Sequence, residues 1–196
     1  MAQRDIKTLI LMVGSLLSSF CLADDALVAV ANNFHRPAQI IAAHFKQQTG
    51  HQILLSTGST GQIYSQITHG APYDVFLSAD QKRPALLVQK QIATEQITYA
   101  KGRIVLWSPD KALFSDGQQA LVSGEFEHIA VANPKVAPYG MASVQVMESL
   151  GVYPQLESKL VMGKGLNATY QYLVTGNAEL GFLAMSQVVQ NGSVLE

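Results

Sequence analysis

Short apolar runs of strand type alternate with helical patterns along nearly the whole chain, and this alternation constrains the fold more than any other feature. Leu27-Val28-Ala29-Val30-Ala31 reads as a buried strand. Pro37 then opens a helix with Ile40, Ile41, His44 and Phe45 on one stripe, and Thr49-Gly50 stops it. Ile53-Leu54-Leu55 is a second strand, Ile63, Tyr64 and Ile67 mark a second helix, and Val75-Phe76-Leu77 is a third strand. A third helix follows at residues 83–90. Beyond Gly102, residues 104–107 form a longer strand, and apolar runs at 128–132, 144–150, 160–162, 170–174 and 180–183 continue the pattern. Such a succession predicts an α/β protein with mostly parallel sheets and helices on both faces. A division near residues 99–102 separates two α/β lobes, residues 24–101 and 102–185. In open sheets of this kind ligands bind beyond the carboxyl ends of the strands, where helix N-termini point.

The first residues read differently. Arg4 and Lys7 precede an apolar or small run at residues 8–22, which ends in Cys21-Leu22-Ala23. This pattern predicts a secretory signal peptide, residues 1–23, cleaved after Ala23 to leave an exported protein beginning at Asp24. The run is short of the ~20 residues a membrane span needs. A lipid anchor on Cys21 is the alternative, but bulky Phe20 stands where a small residue is wanted. Cys21 is the only cysteine in the chain, so the processed protein has neither a disulfide framework nor thiol chemistry. A formal net charge of −1 with no basic run excludes a nucleic-acid binder.

Three strand-to-helix junctions share small or amide side chains without charge: Ala31-Asn32-Asn33, Gly58-Ser59-Thr60-Gly61 and Gly165-Leu166-Asn167-Ala168-Thr169. Free N–H groups and the positive dipole end make a helix start a natural anion site. Each junction taken singly also reads as an ordinary N-cap, the usual place of Ser, Thr and Asn. Together they offer donors only, which suits a fully deprotonated dianion. Phosphate keeps a proton near neutral pH and calls for an acceptor carboxylate, which none of the three turns contains. A fourth segment, residues 133–140, reads as a rigid loop held by Pro134 and Pro138 that presents the Tyr139 N–H or hydroxyl.

Enzyme signatures fail one by one. Gly58-Ser59-Thr60-Gly61 is not a nucleophile elbow, and Gly163-Lys164-Gly165 lacks the remainder of a phosphate-binding loop. His35, His44, His51, His69 and His128 lack metal-type spacing and read as surface or core-edge residues.

The run GAPYDVFLSADQKRP (residues 70–84), following Gly58-Ser59-Thr60-Gly61, resembles the signature stretch of periplasmic molybdate-binding proteins of ABC transporters. ANPKVAPYG (132–140) and TGNAELGFLAMSQV (175–188) resemble the same family in the same order. The resemblance implies a type II periplasmic-binding-protein fold whose two lobes close on the anion. It implies capture of molybdate or tungstate for a membrane ABC permease by a periplasmic monomer. It also implies no enzymatic activity, no cofactor and no directly coordinated metal cation, molybdenum being held as its oxyanion. Carried over by position, the family's ligand contacts fall on Asn33 with Asn32 beside it, Thr60 with Ser59, Tyr139, and the backbone N–H of Ala168 beside Asn167. Some relatives place a tyrosine where this chain has Ala184, so that contact is absent, and Tyr139 is the compensating group. Leu166 stands where relatives often carry an acidic residue. Asp74, Asp80 and Lys82 read as hinge and packing residues, since carboxylates repel a dianion. Relatives continue for a few tens of residues past Ser186-Gln187-Val188. Residues 186–196 are therefore expected to begin a return toward the first lobe that is cut short, leaving an apolar face of that lobe exposed. The alternatives are a binding protein for sulfate or phosphate, or a secreted hydrolase with Ser59 as nucleophile, for which no base is evident.

Overall fold

The computed structural model describes residues 25–190 and 193–194. The expected signal peptide, its cleavage point and Cys21 lie outside the described residues. The first strand, β1 (Ala26–Ala31), is followed by a 3₁₀ turn at Asn32–Phe34 and helix α1 (His35–Thr49). Strand β2 (Ile53–Gly58), helix α2 (Thr60–Thr68), strand β3 (Val75–Leu77) and helix α3 (Lys82–Gln89) complete the first lobe. Its sheet has the order β2-β1-β3, parallel throughout. The crossover helices bring the carboxyl ends of β1 and β2 to one edge, each continuing directly into a helical turn.

Helix α1 starts two residues earlier than Pro37 implies, because the 3₁₀ turn runs straight into it and Pro37 needs only a first-turn place. It ends at Gly50, whose φ of +78° is the left-handed cap that glycine adopts without a Cβ penalty. The stripe expected on it points outward. Ala38 is buried, whereas Ile40, Ile41 and Phe45 are 60%, 54% and 40% exposed. The core of this lobe is correspondingly small, built on Val28, Val30 and Ala38 with Phe34, Ile53, Leu55 and Leu77 packed against them.

The second lobe contains strand β4 (Ile104–Trp107), helix α4 (Gly117–Ser123), strand β5 (Ile129–Ala132) and helix α5 (Pro138–Ser149). Helix α6 (Tyr153–Leu156) and a 3₁₀ turn lead to strand β6 (Leu160–Gly163), helix α7 (Leu166–Val174) and strand β7 (Leu180–Ala184). The sheet order is β4-β7-β5-β6, with β4 antiparallel to β7 and the other pairs parallel. Helix α4 was not legible as a periodic run. Asp116 makes it by accepting the N–H groups of Gln118 and Gln119 at 2.8 and 3.0 Å. Two apolar clusters flank the sheet. Leu173, Leu183 and Trp107 lie in one, with Trp107 stacked on Tyr170 at 5.9 Å, and Ile129, Met147, Leu180 and Phe182 lie in the other.

Helix α8 (Met185–Val188) and a short hairpin, β8 (Val189–Gln190) with β9 (Ser193–Val194), follow β7. Helix α8 packs against α1 and the Asn32–Phe34 turn. Among the described residues no helix is long and apolar enough to cross a membrane.

Candidate functional site

The site grows from the ends of β1, β2 and β5 and the start of α7, where the chain leaves a strand and exposes unpaired N–H groups. Asn32 and Asn33 form the 3₁₀ turn after β1. Ser59 is the N-cap of α2, and Thr60 its first residue. Both are nearly inaccessible, at 3% and 1% exposure. The capping reading applies to Ser59. Its N–H (3.1 Å) and its hydroxyl (2.7 Å) both donate to Oε1 of Gln62, three positions on. Thr60 Oγ1 accepts the N–H of Ala79 at 3.1 Å, which ties the α2 start to the loop after β3 and leaves the hydroxyl proton free to turn.

The segment 133–140 is a loop only as far as Ala137. Asn133 Oδ1 accepts the Lys135 N–H at 2.9 Å, and Pro138 opens α5 as its first residue. A proline with φ already set suits that position, so Tyr139 stands in the first helical turn rather than in a loop. Gly140 follows because a Cβ there would sit 2.0 Å from the Ala132 carbonyl oxygen. Burial lifts the Tyr139 phenol above its ordinary pKa, although its bond with Asn33 works the other way. Tyr99 nearby is pushed up to about 12, by burial first and Tyr139 second. Both remain neutral donors across the physiological range.

The two lobes touch here. Asn33 Nδ2 donates to Tyr139 Oη at 3.5 Å, and Asn167 Nδ2 donates to Asn32 Oδ1 at 3.4 Å. Ser186 Oγ donates to the Asn33 carbonyl. Gly61 N–H donates to the Val136 carbonyl at 2.9 Å, and Arg83 Nη2 to the Lys135 carbonyl at 3.4 Å. Between these contacts lies a cavity of about 10 Å³ lined by Ala31, Asn32, Asn33, Ser59, Thr60, Ala79, Ala137, Pro138, Tyr139 and Leu166. That volume holds about one water, so the lobes are closed down on it. No carboxylate faces it. Asn33 Oδ1 is buried there without a hydrogen-bond partner, an arrangement that costs free energy unless something fills the space.

Five of the seven residues expected from sequence therefore line one cavity. Asn167 and Ala168 lie just past Leu166 in the first turn of α7, with Asn167 reaching Asn32. Gly165, which the sequence marks only as part of a turn, is the α7 N-cap. A Cβ on it would come within 2.8 Å of Asn32 Nδ2, so its missing side chain lets the lobes meet. Gln62, Ser186 and Gly61 carried no sequence signal beyond ordinary cap, motif and helix positions.

The conspicuous charges are spent elsewhere. Asp74 accepts the Leu27 N–H at 2.8 Å, and Asp80 accepts the Arg83 N–H at 2.9 Å and pairs with its guanidinium. None of the five histidines is buried, and among the described residues no three metal-binding side chains converge. A far larger open groove, about 1290 Å³, runs along the outer edge of β3 and meets the site at Asn33 and Tyr139. Its walls carry Val75, Leu77, Ile92 and Ile97 together with charges of both signs, Asp74, Asp80 and Glu95 beside Lys101 and Arg103, rather than the neutral donors that line the small cavity.

Residues 26–195 match the family model of bacterial extracellular solute-binding proteins. The chain is 48% identical over 169 residues to the molybdate-binding protein ModA of Rhodobacter capsulatus, covering 85% of this chain and 67% of that protein. It is 43% identical over 192 residues to ModA of Azotobacter vinelandii, covering 96% and 76%. The solved structure of the Azotobacter vinelandii periplasmic molybdate-binding protein superposes with a TM-score of 0.83 at 36% identity, covering 86% of this chain and 75% of that one.

Proposed function

The chain belongs to the bacterial extracellular solute-binding protein family, and from that membership we propose that it captures molybdate or tungstate and hands the anion to a membrane ABC permease. The named relatives are molybdate-binding proteins. The observation that carries the reading is the small cavity between the lobes, bounded by helix starts and neutral Ser, Thr, Asn and Tyr side chains without a carboxylate. In this reading Asn32, Asn33, Ser59, Thr60, Tyr139, Asn167 and the Ala168 N–H surround the oxyanion. Donors alone suit an anion with no proton to give. The lobes, residues 24–101 and 102–185, part to admit it and close on it, with residues 186–196 returning to the first lobe. The protein works in the periplasm as a monomer, exported by a signal peptide cleaved after Ala23. In this reading it carries out no chemical step, and the Ser59 hydroxyl is turned to Gln62. It needs no cofactor and no metal cation of its own.

The orphaned Asn33 Oδ1 favours a second reading at one point, since an acceptor in the site would welcome the proton of hydrogen phosphate. Turning that amide over removes the argument. Oδ1 then accepts the Tyr139 hydroxyl, and Nδ2 faces the cavity as one more donor. Calorimetric titration with molybdate, tungstate, sulfate and phosphate separates the two. Molybdate and tungstate should bind tightly and alike, with sulfate and phosphate at least ~100-fold weaker, about 2.7 kcal/mol. Phosphate or sulfate binding as tightly as molybdate would reassign the site.

A further inference from the structure

Gly102 lies in the connection between the lobes, two residues before β4, with its backbone outside the left-handed region. A Cβ built on it would stand 1.9 Å from the Tyr139 hydroxyl oxygen, 3.1 Å from Cζ and 3.8 Å from Cε2. The three nearest atoms all belong to Tyr139, so the space beside Gly102 is a berth for that one phenol. The berth cannot easily retreat. Tyr99, on the same connection, donates its hydroxyl to the Ser78 carbonyl at 2.8 Å, and its ring packs edge-on against Phe34 at 5.0 Å. Phe34 follows Asn33 directly, and the Asn33 side-chain amide meets the same Tyr139 hydroxyl.

We propose that Gly102 is a positioning residue for anion capture, its missing side chain letting the Tyr139 phenol seat against the interlobe connection with its hydroxyl beside Asn33. A methyl group at 102 displaces the tyrosine rather than the backbone, because the clashing atom is the far end of a side chain. The inference rests on the reading that Tyr139 belongs to the anion site, and the experiment separates the two. Molybdate affinity is measured for the full chain, Gly102→Ala, Tyr139→Phe and the double variant. Alongside, the tyrosine ¹³Cζ resonances are recorded without anion, the Tyr139 signal being the one lost in Tyr139→Phe.

Gly102→Ala should shift the Tyr139 resonance, leave the melting temperature nearly unchanged and weaken molybdate at least ~10-fold, about 1.4 kcal/mol. In the Tyr139→Phe background, where the oxygen it would strike is gone, the same change should cost less than about threefold. An unmoved Tyr139 resonance, or equal losses in both backgrounds, overturns the role of Gly102. If Tyr139→Phe weakens binding but Gly102→Ala does not, the role of Gly102 alone falls. If Tyr139→Phe binds molybdate as the unaltered chain does, Tyr139 leaves the anion site and the proposal falls with it.

Discussion

At the scale of single residues the proposed site offers neutral hydrogen-bonding groups, and that determines how its variants should behave. Asn33 brings an amide to the cavity from a turn whose carbonyl is already held by Ser186. Truncating it to alanine removes one charge-assisted bond and leaves the turn in place. Asn33→Ala is therefore expected to weaken molybdate by about 1.5–3 kcal/mol, and titration calorimetry reads this directly. A loss under twofold would mean that Asn33 does not touch the anion. The same neutrality governs pH. Tyr139 lies above its ordinary pKa and Tyr99 at about 12, so each phenol keeps its proton to a higher pH in the folded chain than in the unfolded one. Affinity for molybdate should therefore be flat between about pH 6 and pH 9, falling only as a tyrosine ionises above its unfolded value of about 10. A marked fall between pH 7 and pH 8 would point to another titrating group in the site.

At the scale of elements, helix starts hold the candidate donors, and glycines decide how closely they approach the strands behind them. The turn from β5 into α5 depends on Gly140, whose missing Cβ would stand 2.0 Å from the Ala132 carbonyl oxygen and 2.6 Å from its carbon. Those are backbone atoms of a fully buried strand, so nothing there can yield cheaply. This contrasts with Gly102, where a side-chain tip can move. Gly140→Ala should destabilise the fold by about 1–3 kcal/mol or more through overpacking, measured by urea unfolding without anion. An unchanged midpoint would show that α5 can slide away from β5. Element boundaries also show what local pattern conveys. Pro138 marked a break in the chain, but it opens a helix instead of stiffening a loop. The stripe of Ile40, Ile41 and Phe45 was visible in α1, yet periodicity could not say that this face would be the exposed one.

At the scale of the whole molecule, the two lobes meet around the small cavity. On one flank the N–H of Gly61 meets the Val136 carbonyl, and a Cβ at 61 would lie 2.9 Å from that oxygen and 3.0 Å from the Val136 Cα. Arg83 reaches the neighbouring Lys135 carbonyl. Gly61→Ala should leave the first lobe as stable as before, since alanine is the better helix former, while propping the lobes apart. Molybdate affinity should fall about tenfold, mainly through faster release. Small-angle scattering of the anion-saturated variant should give a larger radius of gyration. Unaltered release and scattering would remove Gly61 from the closing contact.

The α/β class, the succession of strands and helices, and the helix starts that carry the candidate donors were all legible in the sequence. Their signals are local: periodicity of 2 or 3.6, a proline at a first turn, a serine or asparagine at a cap. The motif resemblance added the family, and the relatives agree with it. Tertiary structure alone decided which of those starts meet. Asn33 and Tyr139 are 106 positions apart, Asn32 and Asn167 135, and Ser186 and Asn33 153. No propensity spans such distances, because each contact depends on how two lobes close. For the same reason the glycines that admit the closure, Gly61 and Gly165, and Gly102 beside Tyr139 looked like ordinary turn or helix residues. What matters at each is the side chain it lacks and the atom of a sequence-distant residue that occupies the space, and that atom is specified only by the fold.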